Sequence, residues 1–128
     1  MPAWKDYKAE AKSRGSLAEE LYAVHSIPSA EPAEIKAILP EHLAYQAEQE
    51  ARGALFLAGP LSDETGGQMQ AMGLIIYRAD SLEAAKEIAE NDPMHLKGAR
   101  QFVLRRWLVN EGSLSLTVKL SAQTVGFN

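Results

Sequence analysis

The chain has 128 residues, a formal net charge of −4 and no cysteine, with 46% hydrophobic and 23% charged residues. This length fits a single domain over residues 1–128, and the lack of cysteine excludes disulfides and thiolate chemistry. Acids and bases are interspersed, so the sequence lacks the concentrated basic surface that nucleic acid requires. No apolar run approaches the roughly 20 residues of a membrane helix, and the N-terminus lacks a signal-peptide core. We therefore expect a cytoplasmic protein with no nucleic-acid or membrane partner.

The N-terminal half predicts two helices and two strands. Apolar and aromatic residues recur at helical spacing ahead of Gly15, which stands where a left-handed helix cap is favoured. A second apolar series in steps of four, which includes Leu39 and Leu43, predicts a helix that Pro40 interrupts, with either a short first turn or a kink. The predicted elements are a helix over 3–14, a strand over 20–27, a helix over 33–52 and a strand over 54–58.

The C-terminal half predicts a polar connection, three strands and one helix. Asp80 and Glu83 form a helix start of the capping-box type, and the Asn91-Asp92-Pro93 run ends that helix. Residues 113–120 alternate strictly between polar and apolar side chains, which is the pattern of a half-buried strand. The predicted elements are a connection over 61–72, a strand over 73–78, a helix from Asp80 to the residue before Asn91, and strands over 102–109 and 113–120.

The elements after the first helix follow the order β-α-β-β-α-β, which is the ferredoxin-like split βαβ pattern of an α+β fold. The first helix and the strand over 113–120 are additions to this core. The helices of such a protomer cover one face of the sheet, and the apolar strands predict a covered second face. A second copy of the chain is the simplest cover, so we expect a homodimer that closes an α+β barrel, or a higher homo-oligomer. Trp107 is expected in the core, and either Arg105 or Arg106 is expected to face a covered surface.

His42 and Asp92 are the candidate pair for chemistry. His42 flanks the apolar series of the second helix, and Asp92 precedes Pro93, which favours an extended backbone at residue 92. Both helices of a split βαβ fold lie on the same side of the sheet, so these two side chains can meet. A carboxylate fixes the tautomer of a histidine, which can then take or give a proton near neutral pH. The alternative from the residues alone is a helix-stop Asx turn at Asp92 and a surface position for His42.

Three further side chains are candidates for a ligand pocket, and each has a structural alternative. Tyr45 lies one helical turn from His42 and either lines a pocket or is a boundary tyrosine. His25 alternates onto a strand face that could line the barrel interior, or it is satisfied by a hydrogen bond. His95 either joins the pair or is solvated in a loop. No histidine spacing or carboxylate cluster indicates a metal site, and no glycine-rich nucleotide loop is present.

Five segments, in this order and at this spacing, resemble the YciI-like family over residues 20–110. They depart from the family at Met94, where an aromatic residue usually follows the aspartate–proline dipeptide, so the pocket wall is expected to be softer or wider. The segments are His42-Leu43-Ala44-Tyr45, the GALFLAGPL run over 53–61, Gly73-Leu74-Ile75-Ile76, Ser81-Leu82-Glu83-Ala84-Ala85 and Asn91-Asp92-Pro93.

The resemblance implies a dimeric α+β barrel with a histidine–aspartate dyad, which maps here onto His42 and Asp92. Because the family includes a dehydrochlorinase of a chlorinated hydroxyquinol, it also implies lyase or isomerase chemistry, without a cofactor, on a small cyclic or aromatic hydroxy-carbonyl compound. The alternatives are a non-catalytic small-molecule binding or accessory dimer, and a dimer with a vestigial pocket. Together with the residue pattern, the resemblance gives a substrate pocket formed by Tyr45, Gly59, Pro60, Met94 and His25.

Overall fold

The computed structural model describes residues 1–127 and divides them into two compact units. One unit is the central segment Glu20–Trp107, and the other combines Met1–Glu19 with the segment that starts at Leu108. In chain order the elements are α1 (Trp4–Ser13), β1 (Glu19–Pro28), α2 (Pro32–Ala51), β2 (Leu55–Ser62), β3 (Met69–Tyr77), α3 (Leu82–Glu90), α4 (Pro93–Leu96), β4 (Arg100–Val109), β5 (Thr117–Lys119) and β6 (Thr124–Gly126).

The central unit is built on a four-stranded sheet with the strand order β2-β3-β1-β4. The β2–β3 and β1–β3 pairs are both antiparallel, and β3 lies between the strands that a helix crossover connects. This is the ferredoxin-like arrangement of an α+β protomer, so the predicted fold class is confirmed. Whether the central unit and the terminal segments form one domain stays a prediction.

The two faces of the sheet differ because side chains alternate along each strand. Tyr22 and Val24 of β1 pack with Ile75 and Tyr77 of β3, and Ala85 of α3 closes the same core cluster. On the opposite face, Leu21 and Ile76 of the inner strands are buried. The outer strands β2 and β4 nevertheless expose apolar side chains there, with exposed fractions of 57% at Leu57, 43% at Val103 and 44% at Trp107.

The expectation that Trp107 is a core residue is wrong for this protomer. Phe102 and Leu104 of β4 pack against the core cluster, and Trp107 has the opposite parity along the strand. Its indole therefore belongs to the open face of the sheet, which also contains Arg105.

Helix α2 differs from its prediction in two respects. It runs through Pro40 as one element, so a separate short turn before Pro40 is wrong, and a kink at Pro40 stays a prediction. Pro40 is exposed, where water can satisfy the carbonyl that loses its helical donor. The apolar series does not face the core either, because Leu39 is 41% and Leu43 56% exposed. The buried residues of α2 are Gln46 and Gln49.

The β2–β3 hairpin is longer than predicted, and the connection expected over 61–72 shortens to residues 63–68. Asp63 holds this turn: its Oδ1 accepts hydrogen bonds from the Thr65 backbone N–H at 3.1 Å and the Thr65 hydroxyl at 2.6 Å. The hydroxyl of Thr65 is the largest cause that lowers the pKa of Asp63. β2 and β3 are therefore paired as far as Ser62 and Met69.

In the second unit, α1 buries Ala11 completely, and the backbone N–H of Leu17 donates to the Asn110 carbonyl at 3.0 Å. The strand predicted over 113–120 is wrong for residues 113–116. Only Thr117–Lys119 is extended, in a three-residue pairing with β6. The alternating pattern predicts extended residues but does not predict how many of them find a partner strand, and β6 itself has only three residues.

Candidate active site

His42 and Asp92 meet in the central unit, although 50 positions separate them in the chain. Nδ1 of His42 lies 2.9 Å from Oδ1 and 2.9 Å from Oδ2 of Asp92. A carboxylate only accepts hydrogen bonds, so Nδ1 is the donor and Nε2 carries the lone pair of the neutral ring. The carboxylate is fully buried, whereas the imidazole is 19% exposed. The contact predicted from the sequence is present, and its catalytic role stays a prediction.

Asp92 is oriented by its position at the start of α4, a four-residue helix that the sequence analysis missed. Its Oδ1 accepts from the Met94 backbone N–H at 3.0 Å, and Pro93 occupies the first turn. The aspartate–proline pair that ends α3 therefore begins a new helix, because proline suits the first helical position and aspartate caps it. That pair was the signal from which α4 could have been predicted. One carboxylate thus caps a helix and holds the imidazole.

Tyr45 is fixed beside the dyad rather than free in a pocket. Its hydroxyl donates to the Ile88 carbonyl at 2.7 Å, and burial together with the charge of Asp92 raises its pKa to about 12. Tyr77 is completely buried, and burial and the same charge also raise its pKa. The Tyr77 hydroxyl has no hydrogen-bond partner among the residues that the structure describes. Both phenols are neutral at physiological pH and surround the carboxylate with polar but uncharged groups.

A second polar network that the sequence analysis missed connects Ser26, His95 and Arg100. Nδ1 of His95 donates to the Ala89 carbonyl at 2.7 Å, so Nε2 accepts the Ser26 hydroxyl at 2.8 Å. Nε of Arg100 donates to the same Ser26 oxygen at 2.8 Å. Burial is the main cause that lowers the pKa of His95, which favours the neutral ring. The imidazole of His95 is therefore neither solvated nor bonded to the side chains of the dyad, although the charges of Asp92 and His42 act on it.

The remaining predicted pocket residues are spread over the central unit. Met94 is buried and contacts Asp92 through its backbone N–H. Gly59 and Pro60 are exposed residues of β2, paired with β3. His25 is partly buried on β1, on the face opposite to Ser26, so this protomer does not bring it to the dyad. A pocket role for these residues stays a prediction.

A shallow cavity of about 290 Å³ lies under the turn between β2 and β3. It contains none of the dyad residues and no titratable side chain; its lining is Pro60, Leu61, Ser62, Gly66, Gly67, Gln68 and Met69. Within residues 1–127, no group of three or more potential metal ligands is present. In the same part of the chain, no helix combines the length and the apolarity needed to cross a bilayer.

Comparisons with known proteins identify the family of this chain. The model of the YCII-related domain matches residues 20–108, which include the whole central unit. The chain belongs to the YCII-related family. The resemblance predicted from the sequence is thereby confirmed.

One curated relative supports this assignment to the YCII-related family, and one solved structure has a similar fold. Uncharacterized protein YjpA of Bacillus subtilis is 33% identical over 66 residues, which are 52% of this chain and 71% of that protein. The fold is similar to that of TftG, the 5-chloro-2-hydroxyhydroquinone dehydrochlorinase of Burkholderia phenoliruptrix, in a complex with 2,5-dihydroxybenzoquinone. That match has a TM-score of 0.50 and 21% identity, and it covers 68% of this chain and 92% of TftG.

Proposed function

We propose that this YCII-related protein is a cofactor-independent enzyme of the lyase or isomerase type, in which His42 is the general acid–base group and Asp92 orients it. The observation that carries the proposal is the hydrogen bond between His42 Nδ1 and both oxygens of a completely buried carboxylate. A histidine with only a surface role would not need a buried carboxylate as its hydrogen-bond partner. The small exposed fraction of the imidazole leaves its ring accessible to a ligand from one side.

The geometry supports a defined proton transfer. With Nδ1 committed to Asp92, Nε2 is the nitrogen that takes a proton from a substrate hydroxyl or carbon. The charge of Asp92 offsets the positive charge that the ring then acquires, at a distance of 2.9 Å. In an elimination, the electron pair of the broken O–H or C–H bond forms a new π bond and the leaving group departs with its own pair. The same imidazolium can return its proton to another atom, which completes an isomerisation.

The proposed substrate class is a small cyclic or aromatic hydroxy-carbonyl compound. TftG acts on a chlorinated hydroxyhydroquinone and was observed with a dihydroxybenzoquinone, and it shares the fold of this chain. Such compounds carry acidic hydroxyl groups on a ring, which suit a neutral imidazole as the base. We use 5-chloro-2-hydroxyhydroquinone and its dechlorinated hydroxyquinol as the first pair of probe substrates.

The test is chloride release from 5-chloro-2-hydroxyhydroquinone by the wild-type protein and by His42→Ala, and the hydroxyquinol, which has no leaving group, measures binding alone. Removing the imidazole is expected to lower kcat by about 10²–10⁴-fold, because general acid–base catalysis contributes a factor of that order. The thermal midpoint should fall moderately and the variant should stay folded, because the buried Asp92 carboxylate loses the imidazole donor but keeps the Met94 N–H. Lys36→Ala, at an exposed position of the same helix, is the matched control and should leave both values unchanged.

Three results contradict the proposal in different ways. Full turnover by His42→Ala removes the histidine from the chemistry. Loss of folding in that variant shows a structural role instead. Saturable binding of the dechlorinated hydroxyquinol with no turnover of any ring hydroxy-carbonyl compound favours the alternative, a non-catalytic small-molecule binding or accessory protein.

We also propose that two copies of the chain pair through the open faces of their sheets, as in the dimeric barrel expected from the sequence. The exposed side chains of Leu57, Val103 and Trp107 on this face support the proposal, because a second sheet would remove them from water. Sedimentation of the wild type and of Trp107→Glu tests it, and a wild type that stays at 14 kDa at micromolar concentration refutes it. A cytoplasmic location is part of the same proposal.

A further inference from the structure

Arg100 is a partly buried cation without an acidic partner. Within residues 1–127, no carboxylate forms an ion pair with its guanidinium, and its hydrogen bonds there go to neutral oxygens. Burial lowers its pKa and the charge of Asp92 raises it, so Arg100 lies within electrostatic reach of the dyad. A buried charge costs free energy unless a counter-charge is supplied, and here none is in contact.

Three hydrogen bonds hold the guanidinium in place. Nε donates to the Ser26 hydroxyl at 2.8 Å, and Nη2 donates to the Ser26 carbonyl at 2.8 Å and the Ala71 carbonyl at 2.6 Å. The third nitrogen, Nη1, donates to no residue of the described chain. The side chain is therefore fixed along one edge, while its remaining N–H groups stay available to a ligand.

The backbone at Ala71 is unusual in a way that fits this arrangement. Ala71 has φ +64°, a left-handed conformation that is strained for an L-residue. The conformation occurs at the irregular end of the β2–β3 pairing and is accompanied by the short contact between the Ala71 carbonyl and Arg100. Strain of this kind persists where the surrounding structure holds a group in position, and here that group is the guanidinium.

We propose that Arg100 binds an anionic oxygen of the substrate, either a carboxylate or a ring oxyanion, with Ser26 and the Ala71 carbonyl as the positioning groups. This inference rests on the proposed function and narrows its substrate class to compounds that carry a negative oxygen in the bound state. Arginine suits this role because its planar, permanently charged fork matches an oxyanion with two parallel donors.

The arrangement also has a use in the proposed chemistry. When His42 removes a proton from a ring hydroxyl or from a carbon next to a carbonyl, the electron pair left behind places negative charge on oxygen. A fixed cation at that oxygen stabilises the charge without reorganisation. The neutral His95 adds no second positive charge, and its Nε2 accepts the Ser26 hydroxyl, which keeps the Ser26 oxygen available to Nε of Arg100.

The test measures binding of two matched pairs of probes by isothermal titration calorimetry. The first pair is 2,4-dinitrophenolate and its neutral methyl ether 2,4-dinitroanisole, and the second is 4-hydroxybenzoate and 4-hydroxybenzamide. Wild-type protein is expected to bind the anion at least tenfold more tightly than the neutral compound in one pair. A preference for 2,4-dinitrophenolate indicates a ring-oxyanion site, and a preference for 4-hydroxybenzoate indicates a carboxylate site. Arg100→Gln should abolish this preference and Arg100→Lys should retain part of it.

Arg78→Gln is the matched control, because it removes the same charge from an exposed position of the same unit and should leave the preference unchanged. If Arg100→Gln does not fold, the Nε–H signal of Arg100 in ¹⁵N NMR of the wild type replaces it, and this signal should shift with the anions and not with the neutral probes. Equal binding of all four probes by the wild type, or an unchanged preference in Arg100→Gln, overturns the inference. Neither result depends on His42, whose loss of turnover tests the proposed function separately.

Discussion

Replacing Asp92 by asparagine separates the two tasks of this side chain. Asparagine caps helices as well as aspartate does, so its Oδ1 can still accept from the Met94 N–H that now lies at 3.0 Å. Its amide, however, places an N–H donor against His42 Nδ1, where the carboxylate had an oxygen at 2.9 Å. Nδ1 must then accept, and the ring proton moves to Nε2. The histidine keeps its position but presents a proton where a lone pair is needed.

The expected loss in kcat/KM for Asp92→Asn is about 10²–10⁴-fold, equivalent to roughly 3–5 kcal/mol of transition-state stabilisation. The free energy of unfolding should fall by only about 1 kcal/mol, the difference between a charge-assisted and a neutral hydrogen bond. Asp92→Ala, which leaves the Nδ1–H and the Met94 N–H without acceptors, should cost about 3 kcal/mol.

The tautomer of His42 can be measured without a substrate, by long-range ¹H–¹⁵N correlation spectra. Wild type should show the proton on Nδ1 and Asp92→Asn should show it on Nε2, while urea titrations give the two stabilities. The reasoning is refuted if the asparagine variant keeps the wild-type tautomer, or keeps its turnover within threefold of wild type.

Two further outcomes follow from buried groups near the dyad. Tyr77→Phe removes a buried hydroxyl that has no hydrogen-bond partner among residues 1–127. The free energy of unfolding, measured in urea, should therefore stay the same or rise by about 1 kcal/mol. A clear decrease would show that the hydroxyl forms a hydrogen bond. Burial lowers the pKa of His95 in the folded protein, so protonation of this ring favours the unfolded chain. The contribution of His95 to stability is therefore complete above its unfolded pKa of about 6.5. It decreases as the pH falls through the folded pKa. His95→Gln should therefore flatten the fall in thermal midpoint on acidification below about pH 6.5, and an unchanged pH profile would contradict this.

The order of the elements could be predicted from the sequence because it depends on local patterns. In α3, Ala85 and Ala89 lie four positions apart and are both completely buried, as the helical period of its apolar residues requires. The same logic was misleading for α2, whose apolar Leu39 and Leu43 are exposed. The sequence of a helix with two possible buried faces does not show which face packs on the sheet. In α2 it is the face that contains His42 and Gln49.

The site was predictable only in part. The contact between His42 and Asp92 was expected because two helices of this topology lie on one side of the sheet. The network of Ser26, His95 and Arg100 was not expected, because its hydrogen bonds join residues 69 and 74 positions apart that share no local pattern. The sequence does not show that a serine on one strand and an arginine at the start of another are neighbours. That contact depends on the register of the sheet.

The double duty of Asp92 limits how this position can vary. The asparagine variant should fold but should be inactive. Glutamate is one methylene too long to cap α4 and contact the imidazole from the same backbone position. A saturation library at residue 92, sorted once for abundance in cells and once for product formation, should therefore give two different sets of survivors. Neighbouring positions that serve only packing should give the same set in both sorts.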